Sequence, residues 1–333
     1  MPNSLVLIST ASQAFFLSRS PAIANDSVLV LTVKSKDEAN KILHHVRSLD
    51  WKQINIWKIP LAEDKDVYLK LLKIRVKILA LKFRFPHFSK VYIGSYANLV
   101  HLAVLAEYEN SCTSILLYDG LQLVSVNHFR NKGSDENRKN LPKAYKLLGF
   151  KNPKILNLTY ISPLDLKITG NDRIEVIKSM KASILQEVDE ESIYFIGQPL
   201  SAVGMVTAEY YVETLKKFKA GSHNKITYFP HPRESNKVVK ELSGIFEIKV
   251  PDTIFEEYFL EQNTIPGEIV SFYSSVLVNL IYLKAPIKIT SIEIPKYKIN
   301  VGRFYQLLAP TYEYFHNISE KNFRIINAET LGK

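Results

Sequence analysis

Residues 90–120, KVYIGSYANLVHLAVLAEYENSCTSILLYDG, carry the fold in one span. Lys90–Ile93 is a short β-branched and aromatic run, which predicts a strand. Tyr96–Glu107 has apolar residues at helical spacing, and Ser114–Tyr118 is a second apolar run that stops at an Asp-Gly turn signal. A strand, a covering helix and another strand make the crossover unit of a parallel sheet.

The alternation extends both ways from this span. Upstream, strands are expected at Leu5–Ile8, Val28–Val33 and Ile54–Ile59, with helices from Gln13, over Lys36–Leu49 and over Lys65–Arg84. Downstream, Asn131–Asn140 is polar and reads as a loop, and Asn152–Gly170 is broken by Pro153, Pro163 and Gly170 around two short apolar runs. Acidic residues then cluster at Glu187–Ser192, where a domain boundary is expected. Beyond it, strands are expected at Ile193–Ile196, Lys225–Phe229, Phe246–Val250, Ile269–Phe272 and, as the final one, Lys288–Glu293. Helices are expected at Thr207–Lys219, Ser235–Leu242, Phe255–Gln262 and Ser275–Leu283, and the aromatic-rich segment Phe304–Ile318 reads as a closing helix. Two doubly wound Rossmann-like domains, 1–188 and 189–333, with a C-terminal helical tail describe an α/β architecture of GT-B type. In such a fold the ligand is expected in a cleft between the carboxyl ends of the two sheets.

Composition narrows the function classes. With 46% hydrophobic and 23% charged residues over 333 positions, the chain can bury two cores and is not a disordered polymer. One cysteine, Cys112, excludes an intrachain disulfide and a cysteine-based zinc site, and fits a cytoplasmic location. The net charge of +10 favours anionic partners. Met1–Leu17 is apolar without a basic leader, so no signal peptide is expected. The longest apolar stretch, Ile269–Leu283, is interrupted by Ser271, Ser274, Ser275 and Asn279, so no transmembrane helix is expected. The 12 glycines form no GxG pair, which excludes the dinucleotide fingerprint and the phosphate loop of nucleotide hydrolases, and no HExxH is present. The nearest DxD pattern, Asp64-Lys65-Asp66, stands at a helix start, where aspartate serves as a cap more often than as a metal ligand. No metal and no cofactor are expected.

Three short motifs carry chemistry. Tyr228-Phe229-Pro230-His231-Pro232-Arg233-Glu234-Ser235 follows a strand and precedes a helix. There His231 can donate to a phosphate and Arg233 can grip one, although a proline-rich surface turn accounts equally for the pattern. Asp119-Gly120 ends the strand of the opening span; a carboxylate there can take a proton from a sugar hydroxyl, or the pair can be a plain turn. Tyr273-Ser274-Ser275 stands where a strand gives way to a helix, a place suited either to phosphate or to simple capping.

Taken in order, YDG, HPRE and the serine pair resemble the bacterial sialyltransferases, in particular glycosyltransferase family 52, which includes lipooligosaccharide sialyltransferases. Val91-Tyr92-Ile93-Gly94-Ser95 ahead of LLYDG, and Phe255-Glu256-Glu257-Tyr258-Phe259-Leu260, are similar to the family as well. The resemblance implies transfer of sialic acid from a CMP donor to a hydroxyl of a surface glycan. It implies Asp119 as general base, and His231 as a phosphate ligand and candidate acid. Ser274 and Ser275 would hold the same phosphate with Arg233, Glu256 would bind the ribose, and Gly197-Gln198 would border the nucleotide. The sugar pocket would draw on Thr10, Ser12, Gln13 and Gly120. The family's motif has two acidic residues before the glycine, whereas Tyr118-Asp119 offers only one carboxylate. Pseudaminic, legionaminic or Kdo donors fit the same motifs.

The segment from Lys70 to Arg84 interleaves Lys70, Lys73, Arg75, Lys77, Lys82 and Arg84 with aliphatic residues. Basic amphipathic helices bind anionic membrane surfaces, and a core-facing helix with a solvated basic face has the same composition. The first reading places the protein in the cytoplasm, peripheral to the inner membrane. A non-catalytic nucleic-acid-binding protein is the alternative of another class, but no nucleic-acid module is recognisable and no nucleic-acid partner is expected. The oligomeric state is left open.

Overall fold

Strands β1 (Ser4–Ile8) and β2 (Ser27–Val33) are buried at every position, the pattern of a parallel sheet covered on both faces. The computed structural model describes residues 2–61, 64–133, 141–177, 186–300 and 302–332. The chain forms two compact units, Met1–Lys178 and Ser179–Lys333.

Unit 1 continues with β3 (Gln53–Lys58), β4 (Lys90–Ile93), β5 (Thr113–Leu116), β6 (Leu158–Ser162) and β7 (Arg173–Val176). Its helices are α1 (Ala11–Ser18), α2 (Lys36–Val46), α3 (Val67–Arg84), α4 (Leu99–Ala106), α5 (Gln122–Asn131) and α6 (Lys143–Leu147). The seven strands run parallel in the order β3-β2-β1-β4-β5-β6-β7. The winding therefore reverses between β1 and β4. Val6, Ile8, Leu29, Leu31 and Ile42 pack one face of the sheet into a core with Leu17, Ile115 and Leu117.

Unit 2 repeats the plan with β8 (Glu187–Ile196), α7 (Ala208–Ala220), β9 (Lys225–Phe229), α8 (Asn236–Leu242), β10 (Glu247–Ile248), α9 (Phe255–Glu261), β11 (Thr264–Ser271), α10 (Ser275–Tyr282), β12 (Lys288–Glu293), α11 (Gly302–His316) and β13 (Phe323–Asn327). The six strands are parallel in the order β10-β9-β8-β11-β12-β13, with the reversal between β8 and β11. Aromatic rings fill this core: Phe195 lies 5.8 Å from both Tyr228 and Phe272, and Tyr211 lies 5.5 Å from Phe272.

Several expectations shift. The boundary expected at residues 188/189 falls inside β8, ahead of which the two units divide. Glu187, Asp189, Glu190 and Glu191 are exposed positions in the first half of that strand, so their charge reports solvent contact and not a linker. The closing helix is present as α11, but β12 is not the final strand. Phe323–Asn327 adds β13 in parallel beside it, with Ile289 opposite Phe323. Within the expected loop Asn131–Asn140, Asn131 ends α5, and residues 134–140 lie outside the described residues. Asp66 takes the N-cap position of α3 without a side-chain capping bond. Instead Asp64 and Asp66 both pair with Lys70 at 2.9 Å.

Candidate active site

Short loops at the carboxyl ends of the strands hold the polar side chains of each unit, because helix N-caps and turns cluster there. In unit 1, Thr10 caps α1 by accepting from the Gln13 amide. That cap starts the helix so that Gln13 turns inward, where it is buried. The Ser9 amide donates to Gln13 Oε1 at 2.8 Å, and Gln13 Nε2 donates to the Gly94 carbonyl at 2.8 Å. Gln13 thereby ties the loop after β1 to the loop after β4, across the point where the winding reverses. A Cβ at Gly94 would lie 2.5 Å from Gln13 Oε1, so glycine is required for this approach.

The Gln13 side chain lies beside the Asp119 carboxyl and favours its charged form. Burial pushes the Asp119 carboxyl up to about 6, against that lowering effect. Gly120 follows in the left-handed region at φ 60°, and α5 begins at once. Thr10 is exposed and Ser12 half-buried on the same loop and helix start. Thr10, Ser12, Gln13, Asp119 and Gly120 thus gather at the carboxyl ends of β1 and β5. Gln13, expected in a sugar pocket, has its side chain engaged by the Ser9 amide and the Gly94 carbonyl.

A second polar cluster lies beside this one. His101 on α4 is fully buried, and burial lowers its imidazole to about 3, so it is neutral. Its Nδ1 accepts from the Ser95 amide at 3.3 Å, which leaves Nε2 to donate to Thr32 Oγ1 at 2.9 Å. Gln122 on α5 accepts from Ser95 Oγ at 3.0 Å and from the Tyr96 amide at 3.3 Å. Asp119 is therefore bracketed by a glutamine on α1 and, three residues on, by one that pins the loop after β4. Reading the sequence missed His101 and Gln122; the only signal is a lone polar residue inside the apolar run LVHLAVLA.

In unit 2 the reversal point is built alike. Gln198, just after β8, accepts from the Tyr273 amide at 2.8 Å, joining it to the loop after β11. The Gln198 amide donates to Tyr211 Oη at 3.1 Å, Tyr211 and Tyr228 hydroxyls meet at 2.8 Å, and Tyr228 donates to Glu234 Oε1 at 2.6 Å. Glu234 Oε2 accepts from the His231 amide at 2.5 Å, closing the HPRE turn from inside. Burial raises the Glu234 carboxyl while these bonds oppose the rise. A Cβ at Gly197 would lie 2.4 Å from both Glu234 Oε2 and Tyr228 Oη.

His231 Nδ1 accepts from the Arg233 amide at 3.0 Å. That bond fixes the neutral tautomer with the proton on Nε2, leaving a donor on a half-buried ring beside the exposed Arg233. Burial first, and then the Arg233 charge, hold the His231 imidazole below its usual value. The same arginine acts on Tyr273, whose phenol burial pushes up to about 12, so the HPRE turn and the serine loop are neighbours. Ser274 caps α10 by accepting from the Val276 amide at 3.2 Å, and Ser275 opens the helix. Glu256 is buried on α9 and accepts from Asn279 Nδ2, one turn along α10 from Ser275. Burial raises its carboxyl against that bond. Gly197, Gln198, His231, Arg233, Ser274 and Ser275 therefore surround one loop cluster, with Glu256 behind it.

Residues 58–296 match the sequence profile of glycosyltransferase family 52, a span that contains Asp119 and every unit 2 residue of this cluster. The chain belongs to glycosyltransferase family 52. It is a glycosyltransferase, and Thr10, Ser12 and Gln13 precede the matched span. No curated protein sequence matches the chain significantly. Among solved structures, it is similar to UGT89C1 of Arabidopsis thaliana complexed with UDP, at 10% identity and a TM-score of 0.57, covering 100% of this chain and 89% of that one. It is also similar to the UDP-GlcNAc 2-epimerase of Methanocaldococcus jannaschii in complex with UDP-GlcNAc and UDP, at 15% identity and a TM-score of 0.56, covering 99% and 90%. At these identities the likeness concerns the fold: two parallel-sheet Rossmann-like units of GT-B type. Among the described residues, no helix is long and apolar enough to cross a membrane.

Proposed function

We propose that this family 52 enzyme transfers sialic acid from CMP-sialic acid to a hydroxyl of a bacterial surface glycan, lipooligosaccharide or capsule, without a metal ion. The observation that carries this reading is Asp119, a half-buried carboxyl just beyond the end of β5, beside Gln13 and raised to about 6. A base with that affinity is ionised at neutral pH, yet takes a proton more readily than an ordinary carboxylate. Asp119 accepts the proton of the acceptor hydroxyl as its oxygen bonds the anomeric carbon of the donor sugar. The bond from that carbon to the phosphate oxygen breaks, and CMP leaves.

The leaving phosphate gains charge in this step. His231 Nε2–H, the Arg233 guanidinium, the Ser274 and Ser275 hydroxyls and the first amides of α10 are donors suited to it. His231 in its neutral form donates the Nε2–H hydrogen bond to the phosphate rather than its proton. Glu256, which keeps one carboxylate oxygen beyond the Asn279 bond, suits the ribose hydroxyls. Unit 1 is then the acceptor and sugar side, with Thr10, Ser12 and Gly120 near the base, and unit 2 the CMP side. Pseudaminic, legionaminic or Kdo donors would use the same groups.

The test is a thermal-shift comparison of CMP, UDP, GDP and single-stranded DNA in excess EDTA. CMP is expected to stabilise the protein, by about 2.7 kcal/mol at a hundredfold excess over Kd. Stabilisation by UDP in place of CMP, or loss of the CMP effect on chelation, overturns the reading.

A further inference from the structure

Helix α3 is apolar on two sides. Leu71, Ile74, Ile78 and Leu81 face the core and are buried. Leu69, Leu72, Val76, Leu79 and Phe83 repeat at alternating steps of three and four residues on another face, and all five are exposed, Leu69 to 63% and Phe83 to 92%. Tyr68 extends this stripe. An unbroken apolar row of this length on a helix surface marks a binding face. Beside it, Lys73, Lys77 and Arg84 are exposed and form a basic row. The 18 residues of α3 contain no aspartate or glutamate, and among the described residues no carboxylate pairs with Lys73, Lys77 or Arg84.

The basic row borders a groove of about 290 Å³ between α3 and the edge strand β3. Lys77, Arg84, Gln53, Asn55 and the exposed Ile56 line it. Gln53 Nε2 donates to Asn55 Oδ1 at 2.6 Å, a pair that lines the groove. Two cations, Lys77 and Arg84, converge on one groove, next to an exposed apolar stripe.

We propose that α3 docks on an anionic lipid bilayer, its stripe inserted at the acyl boundary and a lipid headgroup phosphate seated in the groove against Lys77 and Arg84. The charge pattern selects this occupant. A second copy laid stripe to stripe would bring two uncompensated basic rows together, whereas an anionic leaflet neutralises them. The inference is independent of the sugar donor. It gives a transferase for lipid-linked or growing surface glycans a place to meet them.

Flotation of the full chain with phosphatidylcholine–phosphatidylglycerol vesicles tests it, with pure phosphatidylcholine vesicles as control. Wild-type protein is expected to float with the anionic vesicles alone, and less so at high salt. Each basic residue near such a surface is worth roughly fivefold in binding, so K73E/K77E/R84E should lose more than about 100-fold. Leu72→Ser with Leu79→Ser and Phe83→Ser, all at exposed sites, should lose binding while unfolding at the wild-type temperature. Excess inorganic phosphate at matched ionic strength should leave binding unchanged. Absence of flotation with anionic vesicles at low salt overturns the proposal. So does wild-type flotation of the serine variant, displacement by inorganic phosphate, or a dimer in sedimentation velocity that the serine variant dissociates while vesicles are ignored.

Discussion

Gln13 Nε2 donates to the Gly94 carbonyl at 2.8 Å, which ties the loop after β1 to the loop after β4 beside Asp119. The Ser9 amide holds the same side chain through Oε1. Gln13 is expected to act as a positioning residue for the Asp119 carboxylate, whose charged form it favours.

Asp119→Asn keeps the shape but cannot accept a proton. Turnover is expected to fall by about 10²–10⁴-fold, while CMP affinity stays within twofold or so of wild type. Single-turnover transfer assays paired with CMP titration read both quantities. Loss of CMP binding with turnover would assign Asp119 to the nucleotide or to folding.

The same substitution should stabilise the fold. A carboxyl whose value rises from 3.8 to about 6 on folding binds its proton more tightly in the folded state. Stability is therefore lost as pH rises from about 4 through about 6, by roughly 3 kcal/mol in all. Asp119→Asn lacks that loss, so its melting temperature should exceed that of wild type by several degrees at pH 8 and match it near pH 4. Equal melting curves at pH 8 would mean that Asp119 is not buried as a carboxylate.

Gln13→Leu removes the neighbouring amide that lowers the Asp119 carboxyl. The acid limb of kcat/KM, expected near pH 6, should move to higher pH, because a base must be ionised to act. Ser9 N–H and Gly94 C=O lose their partner too, so stability should fall by about 1–3 kcal/mol. A pH profile identical to wild type would show that Gln13 does not act on the base.

His231→Ala should weaken CMP binding by about 10- to 100-fold, the worth of a hydrogen bond to a charged group. Calorimetric titration measures this directly. Affinity and turnover both at wild-type level would make the HPRE segment a surface turn.

Gly197→Ala drives a methyl group to within 2.4 Å of Glu234 and Tyr228. The chain of bonds from Gln198 to the HPRE turn must then shift, so CMP binding should drop together with a loss of stability of about 1–3 kcal/mol. Normal CMP affinity in this variant would mean that the Tyr211–Tyr228–Glu234 network does not shape the nucleotide site.

The repeated strand–helix alternation was legible because parallel strands covered on both faces are short runs of apolar residues and their helices keep a 3.6 period. Asp119-Gly120 and the HPRE turn were legible because strand ends carry their turn residues with them. Less was visible where charge and burial diverge. The acidic cluster Glu187–Ser192, which suggests a boundary, belongs to β8, and the half-exposed FRIIN of β13 carries no clear strand pattern.

The sequence alone determined the alternation of strands and helices, the absence of an intrachain disulfide and the motifs that identify the family, since each depends on local spacing or composition. Only the tertiary structure decided what these groups do to one another. Gln13 reaches the Gly94 carbonyl, Glu234 reaches Tyr228 and the His231 amide, and Lys77 and Arg84 line one groove beside α3. Strand order sets those encounters, and strand order depends on where the winding reverses, which no local pattern of residues encodes.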